Sequence, residues 1–291
     1  FLGALLDAGA DVEYLKRELK KLGISDWSLI VKKVKKRGIS GTKVEVVVKE
    51  KGVKRTLKDI LEILNKSALD PDVKIKASEV FKALAEAEAK IHRLPTEEVH
   101  LHETGGIDTI IDVVGTILSL KKLGVKEVYS SKVHLGSGFV KCEHGLLPAP
   151  SPATLELLKG VPVYSRDIEV ELTTPTGAAL LKTLSKGFGA MPEMTMEKIG
   201  YGAGEREEPS PNLLKFFIGL TEELKRIVVI ETTIDDQSPE LFEVIFDKLF
   251  ENGALDVSIV PGHGKKGRPV FNLRILAPEY MFEKIIKVVF S

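Results

Sequence analysis

His100 and His102 stand two apart in EEVHLHETGGIDTIIDVVG (97–115), a spacing that puts both imidazoles on one face of an extended segment. Glu103 follows at once, and Asp108 and Asp112, four apart on the helix predicted next, can converge on the same space. Imidazole and carboxylate together suit a first-row divalent cation, and imidazole favours nickel, zinc, copper or iron over magnesium. The same block also reads as a histidine-capped loop with Asp112 on the solvent side of a helix, because one histidine pair is not a full coordination set. In VHLGSGFVKCEHGLLPAPSPAT (133–154), Cys142 and His144 are again two apart, a soft thiolate–imidazole pair, with His134 nearby. Its glycines can open backbone N–H groups to an anion, whereas a lone cysteine is as readily a small buried apolar side chain.

Four further blocks could meet a ligand. In ELTTPTGAALL (171–181), Thr173, Thr174 and Thr176 lead into a helix predicted over 176–187 with Thr176 as its cap, and Gly177 permits close approach of an anion to the helix N-terminus. Plain capping explains the threonines almost as well. The GYGAG run (200–204) departs from GxGxxG and is read as a tight loop near a ligand. In TTIDDQSPE (232–240), Asp235 and Asp236 end a predicted strand, where paired carboxylates can hold a hard cation on a nucleotide phosphate. GHGKKGRP (262–269) carries Lys265, Lys266 and Arg268 in a Gly-rich hairpin, either a clamp for phosphate or a solvated tip.

The elements that must position these residues follow from apolar periodicity. Three- and four-residue steps predict helix from Phe1 to Gly23, broken at Gly9, then two helices from Leu57 to Ile91 with Pro71 opening the second, and another over Ile107–Leu123. Residues 27–37 and 43–49 read as a hairpin turned at Gly38 and Gly41, Val125–Val133 and 161–171 as strands, 134–152 as irregular, and 152–159 as helix. From Arg226 the order is strand, helix, strand, strand, helix and a last strand in KVVF, the βαββαβ pattern of a ferredoxin-like split βαβ unit. The expected fold class is therefore α+β in two domains. Residues 1–222 form a larger mixed α/β metal and substrate domain, and 223–291 a smaller ferredoxin-like nucleotide-binding domain, with the boundary in the polar stretch Thr221–Arg226.

Across 291 residues, 43% are apolar and 29% charged, which excludes disordered, collagenous and membrane-spanning classes. The 42 basic and 42 acidic side chains cancel, so no general field would hold a nucleic acid and any charged ligand must meet a local cluster. One cysteine and no signal peptide fit a reducing cytoplasm. Phe1 and Phe290–Ser291 both fall inside apolar runs, as truncated ends would.

EEVHLHETGGIDTIIDVVG, LGSGFVKCEHGLLPAPSPATLELLKGVPV, ELTTPTGAALL, IGYGAG, IDDQSPE and KLFENGALDV together resemble the LarC family, the nickel-insertion proteins of nickel-pincer cofactor biosynthesis. The resemblance runs in order from FLGALLDAGAD to GHGKKGRPVF. It implies a nickel chelatase, or cyclometallase, of the lyase class. Such a protein inserts Ni²⁺ as a substrate metal into pyridinium-3,5-bisthiocarboxylic acid mononucleotide, forming one carbon–nickel and two sulfur–nickel bonds, with CTP and a divalent cation (Mg²⁺ or Mn²⁺). The product would serve an apo-racemase of the lactate racemase type. Family members similar to this chain begin with a further strand and Gly/Ser/Asp-rich loop, and His263 stands outside any shared pattern. On this reading His100, His102, Glu103, Asp108, Cys142 and His144 handle nickel. Thr174, Thr176 and Gly177 meet substrate, and Asp235, Asp236, Lys265, Lys266 and Arg268 hold CTP. The acidic strand end and the basic hairpin are expected at opposite ends of their sheet, so that a shared site, and hence a homo-oligomer, would be needed to join them. The competing readings are nickel storage or delivery without catalysis, and a metal-dependent hydrolase built on His100, His102 and Asp108.

Overall fold

The computed structural model describes residues 1–291 apart from 50–54, 102–103, 143–144, 167, 206–210, 222–226 and 291, with Cys142 and Lys266 described in backbone only. It mixes helix and strand and divides into two compact units, Phe1–Thr221 and Glu222–Ser291.

The first unit runs α1 (Leu2–Asp7), α2 (Val12–Lys20), β1 (Trp27–Lys36), β2 (Ile39–Val48), β3 (Arg55–Thr56), α3 (Leu57–Lys66), α4 (Pro71–His92), β4 (His100–Leu101) and α5 (Ile107–Lys122). It continues with β5 (Val128–Ser130), β6 (Val133–His134), β7 (Phe139–Cys142), β8 (Gly145–Pro148), α6 (Pro152–Leu157) and β9 (Val163–Tyr164). It ends with α7 (Pro175–Leu184), β10 (Ser185–Phe188), β11 (Thr195–Ala203) and β12 (Leu213–Leu220).

Local chemistry accounts for most helix starts. Asp11 accepts from the Glu13 and Tyr14 N–H groups at 2.8 and 3.1 Å, Thr56 and Asp59 form a reciprocal capping box, and Pro71 sits in the first turn of α4 behind Asp70. The core gathers α4, α5 and α7 around Phe81, Ile110, Ile111 and Ala179, all fully buried. Helix α5 is apolar nearly all round, as a central helix must be.

The main sheet has the order β1-β2-β11-β12, with β1–β2 and β11–β12 antiparallel and β11 joined to β2 in parallel at Gly202 and Thr42. Gly41 lies inside β2 opposite Val34, so the hairpin turns at Arg37–Gly38 alone. The GYGAG run is not a loop. Gly200 to Ala203 complete β11, and the glycines admit α1: a Cβ on Gly200 would stand 2.1 Å from the Ala4 carbonyl oxygen, and one on Gly202 would stand 2.7 Å from the Ala4 nitrogen.

Asp7, at the end of α1, ties this packing together. Its carboxylate accepts from Lys33, from the buried Thr42 hydroxyl at 2.5 Å and from the Tyr201 N–H at 2.9 Å. Burial pushes its pKa up, but these donors outweigh it and hold the carboxyl below its ordinary range. Asp7→Ala is expected to destabilise the fold by about 2–3 kcal/mol, read by urea unfolding, because the donors lose a charged acceptor. Since the folded value is the lower one, that difference should be full above pH ~4 and shrink as pH falls through the folded value.

Other expectations change on folding. Val125–Val133 divides into β5 and β6, which pair with β10 and β9 respectively, and the strand expected over 161–171 shortens to β9. The irregular stretch 134–152 contains the β7–β8 hairpin.

The second unit comprises β13 (Ile227–Ile234), α8 (Phe242–Glu251), β14 (Asp256–His263), β15 (Pro269–Pro278) and α9 (Phe282–Val289). The sheet order is β13-β15-β14, antiparallel throughout. Ile230, Ile275 and Val257 lie in one cross-strand row, and Leu249 and Ile285 from the two helices join them in the core. On the other face Glu231 pairs with Arg274 at 3.3 Å, and the Thr233 hydroxyl donates to Asn272 at 2.8 Å. The order is thus βαββα: the KVVF residues, read as a sixth element, belong to the end of α9. Ile285, Ile286 and Val289 recur at helical steps on the face turned to the core, which decides against a strand.

Candidate functional site

In the first unit a cavity of about 370 Å³ opens among the start of α1, α5, the N-terminal turn of α7, and the facing ends of β11 and β12. Its apolar wall includes Leu2, Val44, Leu172, Leu180 and Leu214; its polar wall includes Asp112, Thr116, Thr173, Thr174, Thr176 and Asn212. The volume lies within the ~300–1,000 Å³ typical of small-molecule sites.

Three of the expected substrate contacts line this space together. Thr174, not Thr176, caps α7: its Oγ1 accepts from the Gly177 N–H at 3.4 Å, Pro175 takes the first helical position, and Thr176 follows, half-buried. A Cβ on Gly177 would stand 3.3 Å from the Phe1 ring, so this glycine makes room for the chain itself as well as for the cavity.

Asp112 lines the cavity and is exposed at its mouth. Burial pushes its carboxyl up to about 6, and the neighbouring Asp108 charge adds to the rise. Thr116, one turn further along α5, is 2% exposed and its Oγ1 has no hydrogen-bond partner. Asp112 was read above either as a contributor to the histidine block or as a residue on the solvent side of its helix, and Thr116 and Asn212 were not singled out. The available signal was the polar stripe Asp108, Asp112, Thr116 at four-residue steps in an otherwise apolar helix.

An acid whose folded value is raised loses stability as it ionises. Below about pH 3.8 Asp112 carries no such penalty, and the penalty is complete once pH has risen past about 6. Asp112→Asn should therefore raise Tm at pH 8 and leave it nearly unchanged at pH 4. Allowing for water access at the mouth, the gain is of the order of 1 kcal/mol in thermal melts followed by circular dichroism.

The expected metal block is only partly described. His100 is exposed in β4, paired with Thr56, and its charge is felt by Asp59. Asp108 is exposed in the first turn of α5 and its carboxylate folds back over Gly106, where a Cβ would meet Oδ1 at 2.2 Å. His102, Glu103, His144 and the Cys142 side chain lie outside the described residues. Among the described residues no group of three or more His, Cys, Asp or Glu converges. His134 Nε2 accepts from the Arg166 N–H at 3.1 Å and its ring lies 4.5 Å from that of Tyr164, which explains it as a structural histidine.

In the second unit, register corrects the expected placement of the charged groups. Ile234, the last residue of β13, pairs with Phe271, and His263, the last of β14, pairs with Pro269 at the start of β15. Asp235 and Asp236 therefore leave the sheet at the same end as the hairpin that carries Lys265, Lys266 and Arg268. Asp235, Asp236, Lys265 and Arg268 are all exposed there, and the hairpin is closed by the Gly264 N–H on the Arg268 carbonyl at 2.8 Å. One copy of the chain suffices to bring the acidic and basic groups to one sheet end, so the geometric argument for a shared site falls away.

The first unit carries an amphipathic cavity, and in the second unit acidic and basic side chains gather at one end of a small sheet. The nickel insertion protein family matches residues 1–291, and the chain belongs to it. It is 46% identical over 292 residues to a putative nickel insertion protein of Dictyoglomus thermophilum, covering 99% of this chain and 76% of that protein. It is 44% identical over 299 residues to a pyridinium-3,5-bisthiocarboxylic acid mononucleotide nickel insertion protein of Desulfitobacterium hafniense, covering 100% and 74%. A protein with the same description from Thermotoga petrophila is 44% identical over 301 residues, covering 100% and 75%. No solved structure matches the chain. Among the described residues no helix is long and apolar enough to cross a membrane.

Proposed function

We propose that this protein inserts Ni²⁺ into pyridinium-3,5-bisthiocarboxylic acid mononucleotide in a CTP-dependent cyclometallation, a lyase-class reaction. The observation that carries the reading is the family match along the whole chain, together with relatives whose names specify that substrate. Closing the pincer forms a bond from nickel to a ring carbon and two bonds to the thiocarboxylate sulfurs, and the ring carbon gives up its proton.

The chemistry of the residues divides the work. His100, His102, Glu103, Asp108, Cys142 and His144 supply imidazole, carboxylate and thiolate, a mixed set that can take up nickel and surrender it more easily than four thiolates would. Thr174, Thr176 and Gly177, at the N-terminal turn of α7, meet a negatively charged part of the nucleotide. In the second unit, read as the first five elements of a ferredoxin-like βαββαβ fold, Lys265, Lys266 and Arg268 hold the triphosphate of CTP. Asp235 and Asp236 offer hard oxygen donors and fit Mg²⁺ or Mn²⁺, which would offset phosphate charge there. The setting is the cytoplasm, and the recipient of the product an apo-racemase of the lactate racemase type.

The test incubates the protein with Ni²⁺, CTP, Mg²⁺ and the dithiocarboxylate nucleotide and follows the metallated product by mass spectrometry. Expected are the nickel-bearing mass and CTP consumption in proportion to it. Nickel binding with no CTP consumed would assign a storage or delivery role. Hydrolysis of a simple ester without the nucleotide would assign a metal-dependent hydrolase.

A further inference from the structure

Beside the first histidine of the expected metal block stands a carboxylate from α3, a helix well before it in the chain. Thr56 and His100 are direct partners in the antiparallel β3–β4 pair, and residues opposite one another in such a pair put their side chains on the same face. The Thr56 hydroxyl donates to Asp59 Oδ2 at 2.7 Å, so the Asp59 carboxylate lies on that face too. The charge of His100 is felt at Asp59. Arg55, the other cation whose charge reaches Asp59, is engaged by the Gly105 carbonyl at 3.3 Å.

The two oxygens of that carboxylate are used differently. Oδ2 takes both bonds of the capping box, from the Thr56 N–H at 2.8 Å and from the Thr56 hydroxyl. Oδ1 accepts no hydrogen bond among the described residues. A capping box needs an acceptor at this position, which an amide supplies as well as a carboxylate, so the cap does not require the negative charge. A carboxylate that ligates a metal is itself oriented by hydrogen bonds, and here the cap orients Asp59 while leaving one oxygen unused. Asp59 and His100 are both exposed, so a cation reaches them from solvent. Carboxylate oxygen with imidazole nitrogen is a mixed donor pair for a first-row divalent ion.

We infer that Asp59 is a further ligand of this block: its Oδ1 and the His100 imidazole take the same divalent cation, Ni²⁺ on the proposed reading. The inference rests on the reading of His100 as a nickel-handling residue and adds a donor from outside residues 97–115. It concerns uptake of the metal alone, so neither CTP nor the pyridinium nucleotide is needed to test it.

The full chain, without an affinity tag and freed of metal by a chelator, is titrated calorimetrically with Ni²⁺. Asp59→Asn keeps an acceptor for the cap but removes the charge and the unused oxygen. It should raise the Kd for Ni²⁺ at least tenfold, as His100→Ala should, while its metal-free Tm stays within about 2 °C of the parent. Asp59→Glu, which keeps both acceptor and charge, should retain most of the affinity. The double variant Asp59→Asn with His100→Ala should lose less than the two single losses multiplied, because either change alone already breaks a shared site. Glu62→Gln, three residues further along α3 and ion-paired with Lys66, is the control and should bind nickel as the parent does. Unchanged Kd in Asp59→Asn, in a protein whose affinity falls in His100→Ala, would overturn the inference and leave the proposed function standing. Single losses that multiply in full would place the two residues at separate ions and overturn it as well. So would a loss in Asp59→Asn that comes with a lower Tm and persists in Asp59→Glu, which would make Asp59 a cap alone. Unchanged Kd in both Asp59→Asn and His100→Ala would remove His100 from the nickel reading and this inference with it.

Discussion

Replacing Asp235 and Asp236 together by Asn is expected to cut CTP-dependent nickel insertion at least a hundredfold without lowering the melting temperature. Both carboxylates are exposed beyond the last residue of β13 and take no part in the core of the second unit, so folding does not depend on them. Charge-assisted contacts are worth about 1.5–3 kcal/mol each, and losing two of them amounts to about 3–6 kcal/mol. Lys265→Ala or Arg268→Ala removes one phosphate contact and should weaken CTP binding at least tenfold, while nickel uptake by the first unit is unaffected. Calorimetric CTP titrations with Mg²⁺ present measure both. Unaltered CTP affinity in these variants would reduce the hairpin to a solvated tip. Because the acidic and basic groups share one sheet end, these losses should also appear in protein diluted to the monomer.

A second large effect is expected from Gly200→Ala, a change of one methyl group inside a strand. The new Cβ would stand 2.1 Å from the Ala4 carbonyl oxygen and 2.7 Å from the Ala8 nitrogen, both backbone atoms that cannot rotate away. Helix α1 would have to lift from the sheet, and Asp7 would lose its hold on Thr42 and Tyr201 as it moved. Destabilisation of about 3 kcal/mol is expected from chemical denaturation. Gly187→Ala is the control: its Cβ would meet only the Tyr129 ring, at 3.4 Å, and should stay within about 1 kcal/mol of the parent. Equal stability of the two variants would show that α1 does not depend on close approach at Gly200.

The family was legible in the sequence because its long motifs occur in order along the chain. So were the helices α3, α4 and α5, the β1–β2 hairpin and the alternation of elements from β13 to β15. Their signals are local: a cap and its partner lie within three residues, a helical face repeats every three or four, and a hairpin turns at Gly38 with φ of 85°. What remained hidden depends on partners far away in the chain. Gly200 and Gly202 look like a loop until α1, nearly two hundred residues earlier, is laid against them, and β11 reaches β2 through the single pair Gly202 and Thr42. The KVVF run alternates well enough for a strand, but burial of Ile285 against the sheet selects the helix. Asp112 becomes a cavity residue only when α1, α7, β11 and β12 close around it, and Asp235 meets the Lys265–Arg268 hairpin only because β15 inserts between β13 and β14 in a definite register. Residue types and near-neighbour spacing determine which segments form and what chemistry they carry. Burial between distant segments determines which of them meet, because only the folded chain settles which faces leave water together.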